Sequence, residues 1–388
     1  MLHDLARTLI DRGHQVEVLC SRRSYDGGQS FPARETLDGV LVRRLPAFGF
    51  GRRSSAGKLA DYLSYCAALM AHLGFCGARP DLILALTTPP YVGILGKCAA
   101  WARRCRHAHW IMDLYPEVMA AHGMVKHDGW SFRRLQALSR RQFAGAALVV
   151  ALGPRMSNRL SSYLAPEFGA RLQWVNLWGD SCVAPCPEGQ ANPVRDVRGW
   201  RDDELILLYS GNMGLPHRFQ EFLAASVRLG ANGPRWAFAG GGRRRGEIEE
   251  FARKNPSARI EILPYAPRSE LRGSLCAADV HLASLDSAWQ GLVVPSKVQS
   301  SFAAGKPVIF VGQEDNEIAD WLKESGGGWR VPENDVERLL AAIDEARDPE
   351  IRNQRGKAAL EYAQKHFNAA TQCAAIAQMI ENAASHPA

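Results

Sequence analysis

The sequence has no apolar run long enough to cross a bilayer. Its longest apolar stretches are Tyr62–Phe75, which is too short, and Leu82–Leu95, which Thr87-Thr88-Pro89-Pro90 interrupts. The opening MLHDLARTLIDRGHQVEVLC carries Asp4 and Asp11 and no continuous apolar core, so it does not read as a signal peptide. Paired cysteine spacings are missing too. Nine cysteines are scattered; Cys182 and Cys186 stand four apart, and no CxxC or second pair follows. That argues against a zinc knuckle and leads to an expectation of free thiols in a reducing cytoplasm. His107-Ala108-His109 fits alternation along a strand better than a metal site. There is no internal repeat, no low-complexity run and no recognisable nucleic-acid-binding module.

What is present is the composition of a soluble globular protein. The chain has 388 residues, 46% apolar and 22% charged, enough for two domains of ordinary size. The net charge of +7 is uneven: residues 1–170 hold 22 Lys/Arg against 12 Asp/Glu, and the remainder 25 against 28. A basic first half points to an anionic substrate or surface, for which lipid headgroups or a lipid diphosphate suffice.

Apolar periodicity gives helices alternating with short apolar strands. Leu2, Leu5, Ala6, Leu9 and Ile10 have the spacing of an amphipathic helix that Gly13 ends. Strands are expected at 15–20, 40–45, 81–86, 108–112, 147–152 and 172–175, with helices at 59–73, 92–105, 132–143 and 156–163. Strands that are apolar throughout belong to a parallel sheet covered on both faces. A polar stretch with Pro185, Pro187 and Pro193 follows, then a second alternation begins at Leu205. The organisation expected is an N-terminal α/β domain (1–176), a linker (177–204), a second α/β domain (205–350) and closing helices (351–388). Two doubly wound halves would face a cleft, with ligands at the carboxyl ends of strands.

The most informative segment is Gly291-Leu-Val-Val-Pro-Ser-Lys-Val-Gln-Ser-Ser-Phe-Ala-Ala-Gly-Lys-Pro-Val-Ile-Phe310. It reads as a glycine loop, a helix opened by Pro295 and Ser296, a stop at Gly305 and an apolar strand. A helix start offers free N–H groups and a positive dipole end. Lys297 in that first turn is unfavourable for the helix itself and makes sense beside an anion such as a diphosphate. An ordinary loop–helix–strand unit with a surface lysine is the plainer alternative.

This segment resembles the PSK donor-site region of bacterial family 4 glycosyltransferases, the retaining GT-B enzymes of polysaccharide biosynthesis. Leu207-Leu-Tyr-Ser-Gly-Asn-Met-Gly-Leu-Pro-His-Arg218 resembles the opening of that family's C-terminal domain. Trp236–Gly242, Ile262–Arg268, Ala277–Leu282, Pro80–Pro90 and Trp110–Glu117 fit in the family's order, from residue 1 to about 370. The fold implied is α/β of GT-B type, with two Rossmann-like domains. The activity implied is transfer of a sugar, hexosyl or N-acetylhexosaminyl, from a nucleotide-sugar donor, with a UDP-sugar first among candidates. The acceptor implied is a saccharide, lipid-linked, met by a peripheral enzyme at the cytoplasmic membrane face. No metal or other cofactor is expected, because protein cations and a helix end serve the diphosphate.

The resemblance carries onto particular residues. Gly211, Asn212, Gly214, His217, Arg218 and Lys297 fall where the diphosphate is bound; glycines let backbone approach phosphate oxygens. Gly241, within Gly240–Gly242, is a second phosphate-like loop. Tyr265 lies where the base is contacted, Gln290 falls at the first of the family's two glutamate positions beside the donor sugar, and Gly291 and Ser296 belong to the glycine loop and helix start of the donor site. Asp113, expected at the end of a strand, suits a general base or acceptor-orienting group, with Glu117 second; a helix cap before Pro116 is the alternative for Asp113.

Two departures from the family pattern stand out. Where many members carry two glutamates seven residues apart, this chain has Gln290 and Ser300, which puts the sugar contacts and any carboxylate-dependent mechanism in doubt. The strand and glycine turn that ordinarily precede the first helix do not precede Leu2, and an upstream start is the expectation. A degenerate, non-catalytic GT-B subunit and a nucleotide-sugar 2-epimerase are the competing readings.

Overall fold

The computed structural model describes residues 1–24, 29–50, 54–75, 77–186 and 192–385. Two compact units emerge, one of residues 1–175 with 370–388, the other of residues 176–369.

In the first unit, α1 (Leu2–Asp11) buries Leu5 and Ala6. It leads to β1 (Glu17–Ser21), β2 (Arg34–Leu37), β3 (Val40–Leu45), α2 (Ser55–Phe75), β4 (Leu82–Ala85), α3 (Val92–Arg103) and β5 (Arg106–Trp110). Then come α4 (Glu117–Ala121), α5 (Trp130–Phe143), β6 (Leu148–Ala151), α6 (Pro154–Ser161) and β7 (Leu172–Trp174). The strands form two sheets, ordered β1-β3-β2 and β4-β5-β6-β7. All pairings are parallel except β2 with β3. Strand β2 is absent from the sequence reading: Arg34-Glu-Thr-Leu37 is mostly exposed and has no apolar signal to find. Strand β5 stops at Trp110, two residues short of the expected end, so Asp113 lies beyond it in a bend.

The second unit opens with α7 (Pro193–Arg198), a helix inside the stretch read as linker, capped by the Asn192 side chain on Val194 N at 2.9 Å. There follow β8 (Ile206–Ser210), α8 (Gln220–Leu229), β9 (Arg235–Ala239), α9 (Arg245–Lys254), β10 (Ile260–Leu263), α10 (Leu271–Cys276), β11 (Val280–Ser284) and α11 (Lys297–Ala303). The unit continues through β12 (Val308–Val311), α12 (Glu317–Ser325), β13 (Gly328–Val331), α13 (Val336–Glu345) and α14 (Pro349–His366). Its six strands form one parallel sheet, ordered β10-β9-β8-β11-β12-β13.

Strand β8 shows why this sheet is doubly wound. Leu207 and Tyr209 pack with Phe222, Trp236 and Phe238 on one face. Ile206 and Leu208 pack with Ala237, Leu275 and Ala277 on the other. Alternate side chains of an all-apolar strand therefore serve two separate cores. The last helix, α15 (Ala369–Ser385), belongs almost wholly to the first unit, whereas α14 belongs to the second, so the closing helices are shared rather than separate. Cys186 and Cys276 form a disulfide that ties the segment before α7 to α10, a correction to the expectation of free thiols at these two positions.

Candidate active site

The second unit's strand order reverses between β8 and β11. In an open α/β sheet, ligands gather at the carboxyl ends of strands beside such a reversal. The loops leaving β8 and β9 meet there. Gly211 N donates to Ala239 O at 2.9 Å, Met213 N to Gly241 O at 2.6 Å and Arg244 N to Met213 O at 2.9 Å. Two positions admit only glycine. Gly240 has φ +131°, and a Cβ on it would lie 2.2 Å from Gly211 O. Gly242 has φ +131°, and its Cβ would lie 2.5 Å from Asn212 Oδ1. The sequence pattern marked the triplet as a weak phosphate-type loop; its close backbone packing is the physical content of that pattern.

Lys297 reaches this loop from α11. A Cβ on Gly211 would stand 3.1 Å from Lys297 Cε, so the lysine stem lies against the glycine. Lys297 Nζ is 2.9 Å from His217 Nε2 and 4.7 Å from the centroid of the Tyr209 ring. His217 Nδ1 is 2.7 Å from Ser284 O, so Nδ1 carries the proton and Nε2 accepts from the ammonium. Burial, followed by the neighbouring lysine charge, lowers the His217 pKa to about 3. The imidazole is neutral at physiological pH. Burial lowers Lys297 to about 7. A lysine held near its titration point, with no carboxylate in its pair, is arranged to receive an anion. Helix α11 has only seven residues and Ser296 makes no side-chain cap bond, so the charge here rests on the lysine rather than on a long helix dipole.

Tyr265 is 57% exposed, with its ring beside Gly241: a Cβ there would be 3.2 Å from Tyr265 Cε2. Gly211, Asn212, Gly214, His217, Gly241, Tyr265 and Lys297 are thus brought together. Gly291 takes φ +66° in the loop ahead of α11. Gln290 donates from Nε2 to Asp315 O, which commits its amide to the backbone. Ser300 lies against Gly179, where a Cβ would meet Ser300 Cα at 3.1 Å.

Arg218 is placed otherwise than the family pattern implies. Its guanidinium bonds Glu221 Oε1 at 3.0 Å and Asn334 Oδ1 at 2.8 Å, and lies 3.3 Å from Asp286 and 3.5 Å from Glu333. Glu221 is almost wholly buried. Three carboxylates already share this cation, which makes it a clamp rather than a free phosphate ligand. Sequence reading missed Tyr209 and Ser284. Tyr209 stands two residues before Gly211 in an apolar strand, the only signal for it; Ser284 has none, since its role comes from the β8–β11 pairing.

In the first unit Asp113 lies in a small recess with Thr87, Tyr91, Ser139 and Gln142. Burial raises its pKa. Glu117 opens α4 and accepts the Tyr163 hydroxyl on Oε1, while Oε2 is buried without a partner. His109, buried beside Gln142, is held neutral by burial at a pKa of about 3. Glu117 is therefore the more committed of the two carboxylates.

Two α/β units, the second doubly wound around a cation and paired glycine loops, are of the GT-B class. Residues 1–167 match the family model described as a glycosyl transferase 4-like domain, and residues 204–348 match that described as glycosyl transferases group 1. The two matches fall one in each unit, in chain order. It is 27% identical over 268 residues to the probable glycosyltransferase WbjE of Pseudomonas aeruginosa, covering 69% of this chain and 66% of that protein, just under two thirds. It is also 27% identical over 369 residues to the putative colanic acid biosynthesis glycosyl transferase WcaI of Escherichia coli (strain K12), covering 88% of this chain and 86% of that protein. The crystal structure of Anabaena Alr3699/HepE in complex with UDP and glucose has a similar fold, with TM-score 0.68 and 14% identity over 94% of this chain and 99% of that one.

Proposed function

We propose that this protein transfers a sugar from a nucleotide-sugar donor, a UDP-sugar, to a saccharide acceptor carried on a lipid, in surface polysaccharide biosynthesis. The observation that carries the proposal is the union of Lys297, neutral His217 and the loops Gly211–Gly214 and Gly240–Gly242 at the sheet's reversal point. The lysine and loop N–H groups are suited to the charge that grows on a departing diphosphate. Backbone this close leaves phosphate oxygens room that side chains would take. Tyr265 offers a ring for the base. No metal enters this scheme. Asp113 is assigned to the acceptor hydroxyl as base or orienting group, its raised pKa favouring proton uptake. With Gln290 and Ser300 in place of carboxylates, no glutamate is assigned to the donor sugar.

We further assign the approach to the lipid to the first unit. Phe48 and Phe50 are 64% and 65% exposed, and Leu59 and Leu63, one helical turn apart on α2, are 58% and 61% exposed. Arg52 and Arg53, expected to meet anionic headgroups alongside Lys58, lie outside the described residues. Among the described residues no helix is long and apolar enough to cross a membrane.

The deciding experiment is turnover of radiolabelled UDP-sugars with a lipid-diphosphate-linked saccharide. Label passing to the lipid fraction supports the reading. UDP binding without any transfer would replace it with a non-catalytic subunit.

A further inference from the structure

Tyr209 stands near the carboxyl end of β8, two residues before Gly211, and is wholly buried. Its ring packs on Phe219 at 4.9 Å and on Phe238 at 6.2 Å between centroids. Those neighbours, with Phe222, fill the same core with plain rings. Packing alone therefore asks for a phenylalanine here. A buried hydroxyl without a partner costs free energy, so the phenol oxygen needs a reason of its own.

The hydroxyl finds its partner in the glycine loop, not in the core. It donates to Asn212 O at 2.9 Å. Burial raises its pKa, so the phenol keeps the proton it donates. The next carbonyl, Met213 O, is taken by Arg244 N at 2.9 Å. Within a trans peptide the C=O and N–H point opposite ways. Holding these two carbonyls therefore fixes the direction of the Met213 and Gly214 N–H groups, the first toward Gly241 O at 2.6 Å. A carbonyl turned toward a diphosphate would repel it, whereas N–H groups attract it.

The ring of the same side chain borders the cation. Lys297 Nζ lies 4.7 Å from its centroid, within the range in which an aromatic face attracts an ammonium. His217, which accepts from that ammonium, packs edge-on against the ring at 5.7 Å. Arg244, Arg218 and Tyr265 are the other charged or titratable groups beside the pair. Arg244 bonds His217 O, and Arg218 is answered by Glu221, Asp286 and Glu333. Tyr265 lies across Gly240, where a Cβ would meet its Cε1 at 3.1 Å. None of the three is a carboxylate, so the ammonium is held by the ring and the His217 lone pair.

We propose that Tyr209 is a positioning residue of the donor site, with its ring holding the Lys297 ammonium and its hydroxyl setting the Asn212 carbonyl. One buried side chain then orients both the cation and the backbone that meet the diphosphate. Ring and hydroxyl act on different groups, so substitution separates them. Phenylalanine keeps the ring and frees the Asn212 carbonyl; leucine removes both. The inference rests on the reading of Lys297 and the glycine loops as the diphosphate site.

The test is calorimetry with UDP at pH 6, 7, 8 and 9 on wild type, Tyr209→Phe, Tyr209→Leu and Lys297→Met, with a thermal melt of each. In Tyr209→Phe the affinity should fall about 2- to 10-fold at every pH, the worth of one hydrogen bond, with the pH midpoint unmoved. In Tyr209→Leu the midpoint should also move down by about 0.5–1.5 pH units, because an ammonium without its ring gives up its proton earlier. A tyrosine that only fills the core would lower the melting temperature and leave affinity and midpoint alone. Wild-type affinity in Tyr209→Phe, or an unmoved midpoint in Tyr209→Leu, would overturn the proposal. Should the leucine variant not fold, the phenylalanine variant decides. Unchanged affinity in Lys297→Met overturns the donor-site reading and this inference with it. A loss there with none in Tyr209→Phe overturns only the role of Tyr209.

Discussion

Replacing Lys297 by methionine should separate binding from folding. The lysine keeps its ammonium 2.9 Å from a neutral imidazole and 4.7 Å from an aromatic centroid, and burial lowers its pKa to about 7. A charged hydrogen bond to phosphate is worth about 1.5–3 kcal/mol. At 1.4 kcal/mol per tenfold, its loss should weaken UDP binding by about 10- to 150-fold. The same pKa sets a pH dependence. In the free protein the cation is present below pH 7 and is lost above it. Wild-type affinity should therefore fall as pH rises from 7 to 9, and the methionine variant should show no such slope over that window.

Stability should move the other way. The folded pKa of Lys297 lies below the unfolded value near 10.5, so the folded state binds fewer protons. The folded state bears the full cost of charging this lysine below pH 7, and the cost fades as pH rises toward 10.5. Methionine removes that cost, so the variant should gain most over wild type in thermal melts at pH 6 and least at pH 10. Calorimetry with UDP at pH 6, 7, 8 and 9 is the binding assay. A variant with wild-type affinity and wild-type pH slope would refute the assignment of Lys297 to the diphosphate.

Asp113→Asn should keep UDP affinity and lose transfer; normal transfer rates would remove Asp113 from the chemistry. Arg218→Leu should cost about 3–5 kcal/mol of stability in urea titration, because the buried Glu221 loses its partner; a loss of UDP affinity with unchanged stability would restore the phosphate role. Gly240→Ala should destabilise the second unit by at least about 1–3 kcal/mol from its backbone conformation alone, and a melt matching wild type would show that the loop can rearrange. Changing Arg52, Arg53 and Lys58 together to Ser should abolish most co-sedimentation with anionic vesicles, and equal binding to neutral and anionic vesicles would dismiss the basic loop as the contact.

The alternation of apolar strands with amphipathic helices was legible because the second unit's strands are buried on both faces. Ile206–Tyr209 and Val308–Val311 are apolar throughout and bounded by Gly211 and Gly312 or by Gly305. Strand β2 was not legible, since its pairing with β3 depends on neighbours and not on its own Arg-Glu-Thr-Leu sequence. The disulfide was hidden for the same kind of reason. Cys186 and Cys276 are 90 residues apart, and only the packing of the segment before α7 against α10 brings them within 5.5 Å between Cα atoms.

The site shows the same division more sharply. A glycine that must be glycine leaves a mark in sequence, so Gly211 and Gly240–Gly242 were found by pattern. A cation's partners leave none. Arg218 and Lys297 are both basic residues near these loops, yet one sits among three carboxylates and the other beside a neutral histidine. Sequence alone gives the two equal standing, and the family pattern favours both. The fold tells them apart through Glu221, which α8 places one turn after Arg218, and through Asp286, which follows β11. An arginine neutralised in this way ties the loop after β8 to the loop after β11; Lys297 has only the His217 lone pair and the Tyr209 ring beside it, the arrangement on which its proposed phosphate role rests.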